Sequence, residues 1–98
     1  MSPALACQAI RERRVLALTY AGFTRAVEVH IVGRSRFGEA LMLVWQVRGG
    51  SVSGEAVGWK MMRLAEVTGA RLTAEASEAP RPGFNPRDPT IARVIGRV

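Results

Sequence analysis

The residues of this chain best suited to chemistry are cations placed beside aromatic side chains in apolar, strand-like segments. Two apolar runs carry the pattern: the first contains Trp45, and the second contains Trp59 together with Lys60 and Arg63. Small β-rich domains bind nucleic acid with strand-borne cations and aromatic stacking platforms. The pattern therefore favours a module that binds a ligand over one that makes or breaks bonds.

The charge of the chain points in the same direction. The formal net charge is +6, and thirteen of the fourteen cations are arginines. Arginine presents a planar fork of donors that binds phosphate and carboxylate in pairs. The composition predicts nucleic acid or another anionic ligand, although a GC-rich genome, which favours arginine codons over lysine codons, explains it equally well.

Other kinds of site find little support in the sequence. Glu28 and His30 share one face of a predicted strand, but two ligands are fewer than the three or four usual in a metal site. His30 is the only histidine, and no serine or cysteine lies in a nucleophile motif. Cys7 is the only cysteine, so no intrachain disulfide forms. We therefore expect no catalytic residues, no metal and no cofactor.

The cations define the expected binding site. Arg25, Lys60 and Arg63 are expected to converge on one end of the fold, while two further arginines in the loop GRSRFG present their guanidinium groups to phosphate. The predicted ligand-binding residues are Tyr20, Arg25, His30, Arg34, Arg36, Lys60 and Arg63.

A structural interpretation stays open for several of these residues. Trp45 and Trp59 lie in apolar runs typical of a core, and Arg63 could instead form an ion pair with Glu28 or Glu66. The two loop arginines could equally be solvated.

The elements that position these residues are mainly strands. Ser2 and Pro3 begin a short N-terminal helix, and LAEV predicts a single helical turn before the fifth strand. The expected fold is mainly β, a small five-stranded antiparallel SH3/Sm-like barrel within residues 1–76, between an N-terminal and a short C-terminal helix. The five predicted strands are Val15–Tyr20, Arg25–Val32, Leu41–Val47, Gly58–Leu64 and Gly69–Ala76.

Residues 77–98 form a second segment, a proline-rich connector followed by the predicted C-terminal helix. Ile91, Val94, Ile95 and Val98 recur at helical spacing and give one apolar stripe. A helix so short and rich in β-branched residues is too weak to stand alone in water. We expect it to dock, either on its own barrel or, more strongly, at a homodimer interface.

The location follows from what the chain lacks. No apolar run approaches the ~18 residues of a membrane span, and the N-terminus does not resemble a signal peptide. The expected location is the cytoplasm.

Four segments together resemble one known family. AIRERRVLALTYAG, TRAVEVHIVG, EALMLVWQV and GWKMMRLAEVTGARL are similar to the WYL domain, a bacterial module with this barrel fold. Tyr20 corresponds to the family's first-strand tyrosine, Arg25 and His30 to its Arg…Glu-Pro-His pattern, and Arg63 to the first arginine of its late motif. The Trp-Tyr-Leu triplet that names the family lies over Leu41–Leu43 and keeps only its last residue, and Glu66 reverses the charge of the late motif's second arginine.

The resemblance implies a regulatory role without catalysis. WYL domains usually follow a helix-turn-helix in transcription regulators and are thought to bind nucleic acid or nucleotide-like ligands, and the tail of this chain is similar to that of small stand-alone members. The expected function is a binding or regulatory module for nucleic acid or a nucleotide-like anion. The alternative is a structural or accessory module that oligomerises through its barrel and C-terminal helix.

Overall fold

The computed structural model describes all residues 1–98, half of which lie in strands. One short helix leads into a curved antiparallel sheet, and a 3₁₀ turn, Leu64–Glu66, separates two of its strands. The elements are α1 (Pro3–Glu12), β1 (Arg14–Tyr20), β2 (Phe23–Arg34), β3 (Ala40–Gly49), β4 (Gly58–Arg63), β5 (Thr68–Ala76) and β6 (Arg93–Arg97).

The helix forms where its end signals predict it. The Ser2 hydroxyl accepts a hydrogen bond from the Leu5 N–H at 3.3 Å, and a proline occupies the first turn. Arg13 ends the helix in the left-handed conformation, with φ of 52°. Ala6 and Ala9 are buried against the sheet, so small side chains let α1 lie close to the strands.

The strands pair in the order β4-β3-β2-β1-β5, and β6 adds to β2 beyond the end of β1. The mainly β antiparallel fold with an N-terminal helix is therefore confirmed. The predicted barrel is wrong, because β4 and β5 do not pair and the sheet stays open. The Tyr20 hydroxyl instead accepts the Arg63 N–H at 3.1 Å, on the edge of β4 where a closing strand would bind.

The predicted C-terminal helix is also wrong, because its residues form the sixth strand. Ile91 is buried, but it packs on Ile31 and Leu41 of the same chain. A backbone that pairs with β2 satisfies its hydrogen bonds there, whereas the β-branched residues of this segment are poor helix formers. The connector, residues 77–89, contains no helix or strand, in agreement with its predicted irregularity.

Two cores lie on opposite faces of β2 and β3. The larger one packs α1 against the sheet and includes Val27, Val29 and Met42, while the smaller one contains Ile31 and Leu43. An irregularity of pairing between Val29 and Ile31 shifts the alternation of β2. The sole helix has ten residues, and no helix is long and apolar enough to cross a membrane.

Candidate functional site

The largest cleft lies beside the β2–β3 hairpin and is open to solvent. Its volume is about 730 Å³, and the loop, the end of β4 and the proline-rich connector form its walls. Three of the predicted ligand-binding residues, Tyr20, Arg36 and Arg63, line it together. The remaining lining residues are Ser35, Phe37, Glu39, Leu41, Met61, Pro89 and Thr90.

The hairpin loop, residues 35–39, is ordered by its own hydrogen bonds. The Ser35 hydroxyl accepts from the N–H groups of Phe37 and Glu39, at 3.1 and 3.3 Å. The Arg34 guanidinium donates to the Gly38 carbonyl at 3.0 Å, and Gly38 supplies the positive φ of 82° that the turn requires. Arg34 thus shapes the loop and does not line the cleft.

This loop presents a cation and an aromatic ring side by side. Phe37 is 83% exposed, and the Arg36 guanidinium lies 4.8 Å from the centre of its ring. No carboxylate lies within ion-pair distance of Arg36, whose charge stays free for an incoming anion. A free guanidinium over an open ring is suited to a ligand that carries both a phosphate and a base.

The positive charge of Arg63 is already paired with two carboxylates of the protein. Its guanidinium lies 3.1 Å from Glu39 and 3.3 Å from Glu66. The hydrogen bond that Arg63 donates to Glu66 and the negative charge of Glu39 raise the pKa of Arg63. The ion pair with Glu66, one of the alternatives left open by the sequence, therefore forms. The contact between Arg63 on β4 and Glu39 in the β2–β3 loop had no signal in the sequence. Arg63 therefore helps to hold the rim of the cleft in place, and its charge is largely compensated by these two carboxylates.

Arg25 does not reach the cleft. It lies on β2 opposite Gly49, at the end of β3 remote from the cleft, and its side chain is buried there. Its guanidinium donates to the Tyr20 carbonyl at 2.9 and 3.2 Å and to the Gln46 side chain at 3.3 Å. It lies 5.3 Å from the Tyr20 ring and 5.6 Å from the Phe23 ring. Burial lowers the pKa of Arg25. These contacts give the residue a structural role.

Lys60 is similarly engaged. Its ammonium donates to the hydroxyls of Ser51 and Ser53, at 3.0 and 3.2 Å. The Gln46 side chain donates to two backbone carbonyls of the same loop, residues 50–57. Arg25, Gln46 and Lys60 therefore fix this loop on the sheet, and the expected convergence of Arg25 and Lys60 with Arg63 does not occur.

His30 lies in a buried polar cluster that fastens the connector to β2. Its Nδ1 donates to the Glu28 carbonyl, and its Nε2 accepts from the Arg81 N–H, both at 3.0 Å. Both nitrogens are occupied and the residue is fully buried, so His30 cannot contact a ligand. Burial lowers its pKa, which favours the neutral ring that these two bonds require.

Glu28 provides the charged half of this cluster. Its carboxylate accepts two bonds from the Arg81 guanidinium, at 2.7 and 3.1 Å, and a third from the Glu78 N–H at 2.7 Å. Arg81 also lies 5.7 Å from the Trp45 ring. Glu28, His30 and Arg81 together form a clamp. It holds the connector whose Pro89 and Thr90 form one wall of the cleft.

The two tryptophans pack beside the clamp. The Trp59 ring meets His30 edge-on at 4.7 Å and Trp45 at 5.2 Å. Both indoles are half-buried, which agrees with the alternative that the tryptophans serve in packing. Sequence reasoning missed the exposed ring, Phe37, although an aromatic residue between an arginine and a glycine in a polar loop was a usable signal.

No three potential metal ligands among the His, Cys, Asp and Glu side chains come together anywhere in the structure. The chain matches no protein-family model, no curated protein and no solved structure. The similarity to WYL domains therefore stays a prediction carried by the quoted segments alone.

Proposed function

We propose that this protein is a non-catalytic binding module for an anionic ligand of the nucleotide type, either free or within single-stranded nucleic acid. The ligand occupies the cleft beside residues 35–39. The observation that carries the proposal is the free Arg36 guanidinium stacked on the exposed ring of Phe37 at the rim of that cleft.

The dimensions of the cleft suit such a ligand. Its volume of about 730 Å³ falls within the roughly 300–1,000 Å³ typical of small-molecule sites. Leu41 and Met61 contribute apolar lining to the cleft, and Ser35 and Thr90 contribute hydroxyl-bearing side chains. A base can stack on the ring while its phosphate pairs with Arg36.

The charges of the cleft favour one phosphate over several. Arg36 is unpaired, whereas Arg63 shares its charge with Glu39 and Glu66. A phosphate bound near Arg63 has to compete with the Glu39 carboxylate, which also lines the cleft. Arg36 therefore supplies the main anion contact, and Arg63 a weaker second one.

Titration with three probes tests the proposal and distinguishes a free nucleotide from single-stranded nucleic acid as the ligand. Inorganic phosphate, thymidine monophosphate and a fluorescein-labelled oligothymidylate are compared at about 50 mM salt and again at about 200 mM. Binding by both nucleotide probes, weakened at the higher salt, is expected. Binding of inorganic phosphate with the affinity of the nucleotide would show that the ring adds nothing, and no binding by any probe would overturn the proposal.

Two variants and a matched control assign the site. Stacking of a base on an aromatic ring contributes about 1–3 kcal/mol, so Phe37→Ala should weaken nucleotide binding by that amount. Arg36→Ala should weaken it and also reduce the slope of log affinity against log salt by about one. Arg71→Ala removes an arginine of β5 that is also exposed but does not line the cleft, and it should leave affinity nearly unchanged.

A further inference from the structure

The sixth strand leaves one of its edges unpaired at the surface. β6 pairs with Ile31–Arg34 of β2 on one side and with no strand on the other. Val94 is 44% exposed and Ile95 is 46% exposed, so two apolar side chains accompany the free edge. An unpaired strand edge is a template on which another extended chain can form hydrogen bonds.

The edge is held firmly in place by its neighbours. Pairing with β2 fixes one side of β6, and Gly96 lies so close to α1 that an added Cβ would come within 3.0 Å of the Cys7 sulfur. The strand therefore has little freedom before a partner arrives, and a partner loses less conformational entropy when the template is already formed.

The charges at the two ends of β6 determine which partner it accepts. Arg93 and Arg97 are exposed and have no carboxylate within ion-pair distance. Arg93 lies directly opposite Arg34 on β2, and like charges in that position oppose each other. Both ends of the strand therefore carry positive charge that no carboxylate compensates.

A second copy of this chain fits the edge poorly. Antiparallel pairing of two β6 strands around Ile95 would place each Arg93 opposite an Arg97, adding like-charge pairs at both ends. Arginines at the ends of an edge strand discourage such self-association. A strand with carboxylates at those two positions meets complementary charge instead.

We infer that β6 is a docking edge for an extended acidic peptide segment of another protein. The segment adds as an antiparallel strand, with apolar residues near its centre and two acidic residues four positions apart. Those residues lie opposite Arg93 and Arg97, which stand on either side of the irregularity that Ile95 introduces into the pairing of β6 with β2. The edge shares no residue with the cleft, and the inference does not depend on the proposed function.

Synthetic peptides test this inference on the unmodified protein. The first is Ser-Glu-Val-Thr-Val-Glu-Ser with blocked ends, the second replaces both glutamates with lysine, and the third is the acidic peptide N-methylated at alternate residues. Only the first should bind, with NMR shifts at β6. Equal binding by the N-methylated peptide would show charge attraction without strand addition, and no binding by the acidic peptide would overturn the inference.

A charge-swapped variant supplies the control on the protein. In Arg93→Glu/Arg97→Glu, affinity for the acidic peptide should fall at least about tenfold, or about 1.4 kcal/mol, and the lysine peptide should now bind. Unchanged affinity for the acidic peptide in a variant with unchanged melting temperature would contradict the inference. Light scattering and hydrogen exchange of the unmodified protein complete the test. A dimer in the first measurement, together with protection of β6 in the second, would show that a second copy occupies the edge and would overturn the inference.

Discussion

Removal of Arg81 from the clamp should destabilise the protein strongly. In Arg81→Met, the buried Glu28 carboxylate loses bonds of 2.7 and 3.1 Å and keeps only the one from the Glu78 N–H. Breaking a buried ion pair by removing one partner costs about 3–5 kcal/mol. The Glu28 side chain is 1% exposed but that of Arg81 is 24% exposed, so water can reach part of the gap. We expect the lower end of the range, about 3 kcal/mol.

Urea unfolding and thermal melting measure this cost. For a domain of this size, a loss of about 3 kcal/mol lowers Tm by about 12–24 °C. The matched control is Glu78→Ala, which removes the exposed partner of Arg81 while leaving the Glu78 N–H in place. The Glu78 side chain is 75% exposed, and exposed pairs contribute about 0–1 kcal/mol, so this variant should remain close to the unmodified protein.

A double variant separates the lost charge pair from lost packing. In Glu28→Gln/Arg81→Met the buried charge is gone, and the Gln side chain can still accept from the Glu78 N–H. Much of the stability lost in Arg81→Met should return, because replacing both members of a buried pair is often nearly neutral. A cost below about 1 kcal/mol for Arg81→Met, or a double variant less stable than the single one, would refute the assigned role of the clamp.

Further predictions concern pH and packing. The lowered pKa of His30 means that the unfolded chain binds a proton more readily, so stability should fall as pH drops below about 6.5, and His30→Gln should flatten a urea-unfolding series over that range. Gly33→Ala would push a Cβ into the Arg93 carbonyl and the Ile91 methyl, so it should cost about 1–3 kcal/mol and loosen β6 in hydrogen exchange; unchanged exchange would contradict the packing. Tyr20→Phe removes the acceptor of the Arg63 N–H and should cost about 0.5–1.5 kcal/mol in thermal melts.

Local signals in the sequence predicted much of the fold. The cap at Ser2 and the turn at Leu64–Glu66 each depend on a few neighbouring residues, and each appears where expected. The period of two along β2 does not persist, because the pairing of β2 with β3 is irregular between Val29 and Ile31 and both faces of the strand are buried. The C-terminal segment was mispredicted because the spacing of Ile91, Val94, Ile95 and Val98 suits a helix. The free edge of β2 that pairs with this segment as a strand is remote in the chain and left no trace in that spacing.

The candidate site was less predictable because a cation's partners depend on tertiary contacts. Arg25 and Lys60 resemble Arg36 in the sequence, yet the structure uses the first two to hold a loop and leaves the third free. His30 appeared available for a ligand, but the N–H that occupies its Nε2 comes from a residue 51 positions away. The exposed ring of Phe37 and the unpaired charge of Arg36 distinguish the loop at residues 35–39 from the other charged turns.

The central claim is that a nucleotide-type anion binds in the cleft beside Arg36 and Phe37. An NMR titration of isotopically labelled protein with single-stranded oligothymidylate tests it most directly. Backbone shifts are expected at residues 35–39 and at Thr90, and they should disappear in Arg36→Ala/Phe37→Ala but persist in Arg71→Ala. Shifts centred on the 50–57 loop near Arg25 and Lys60, or no shifts at low salt, would contradict the claim.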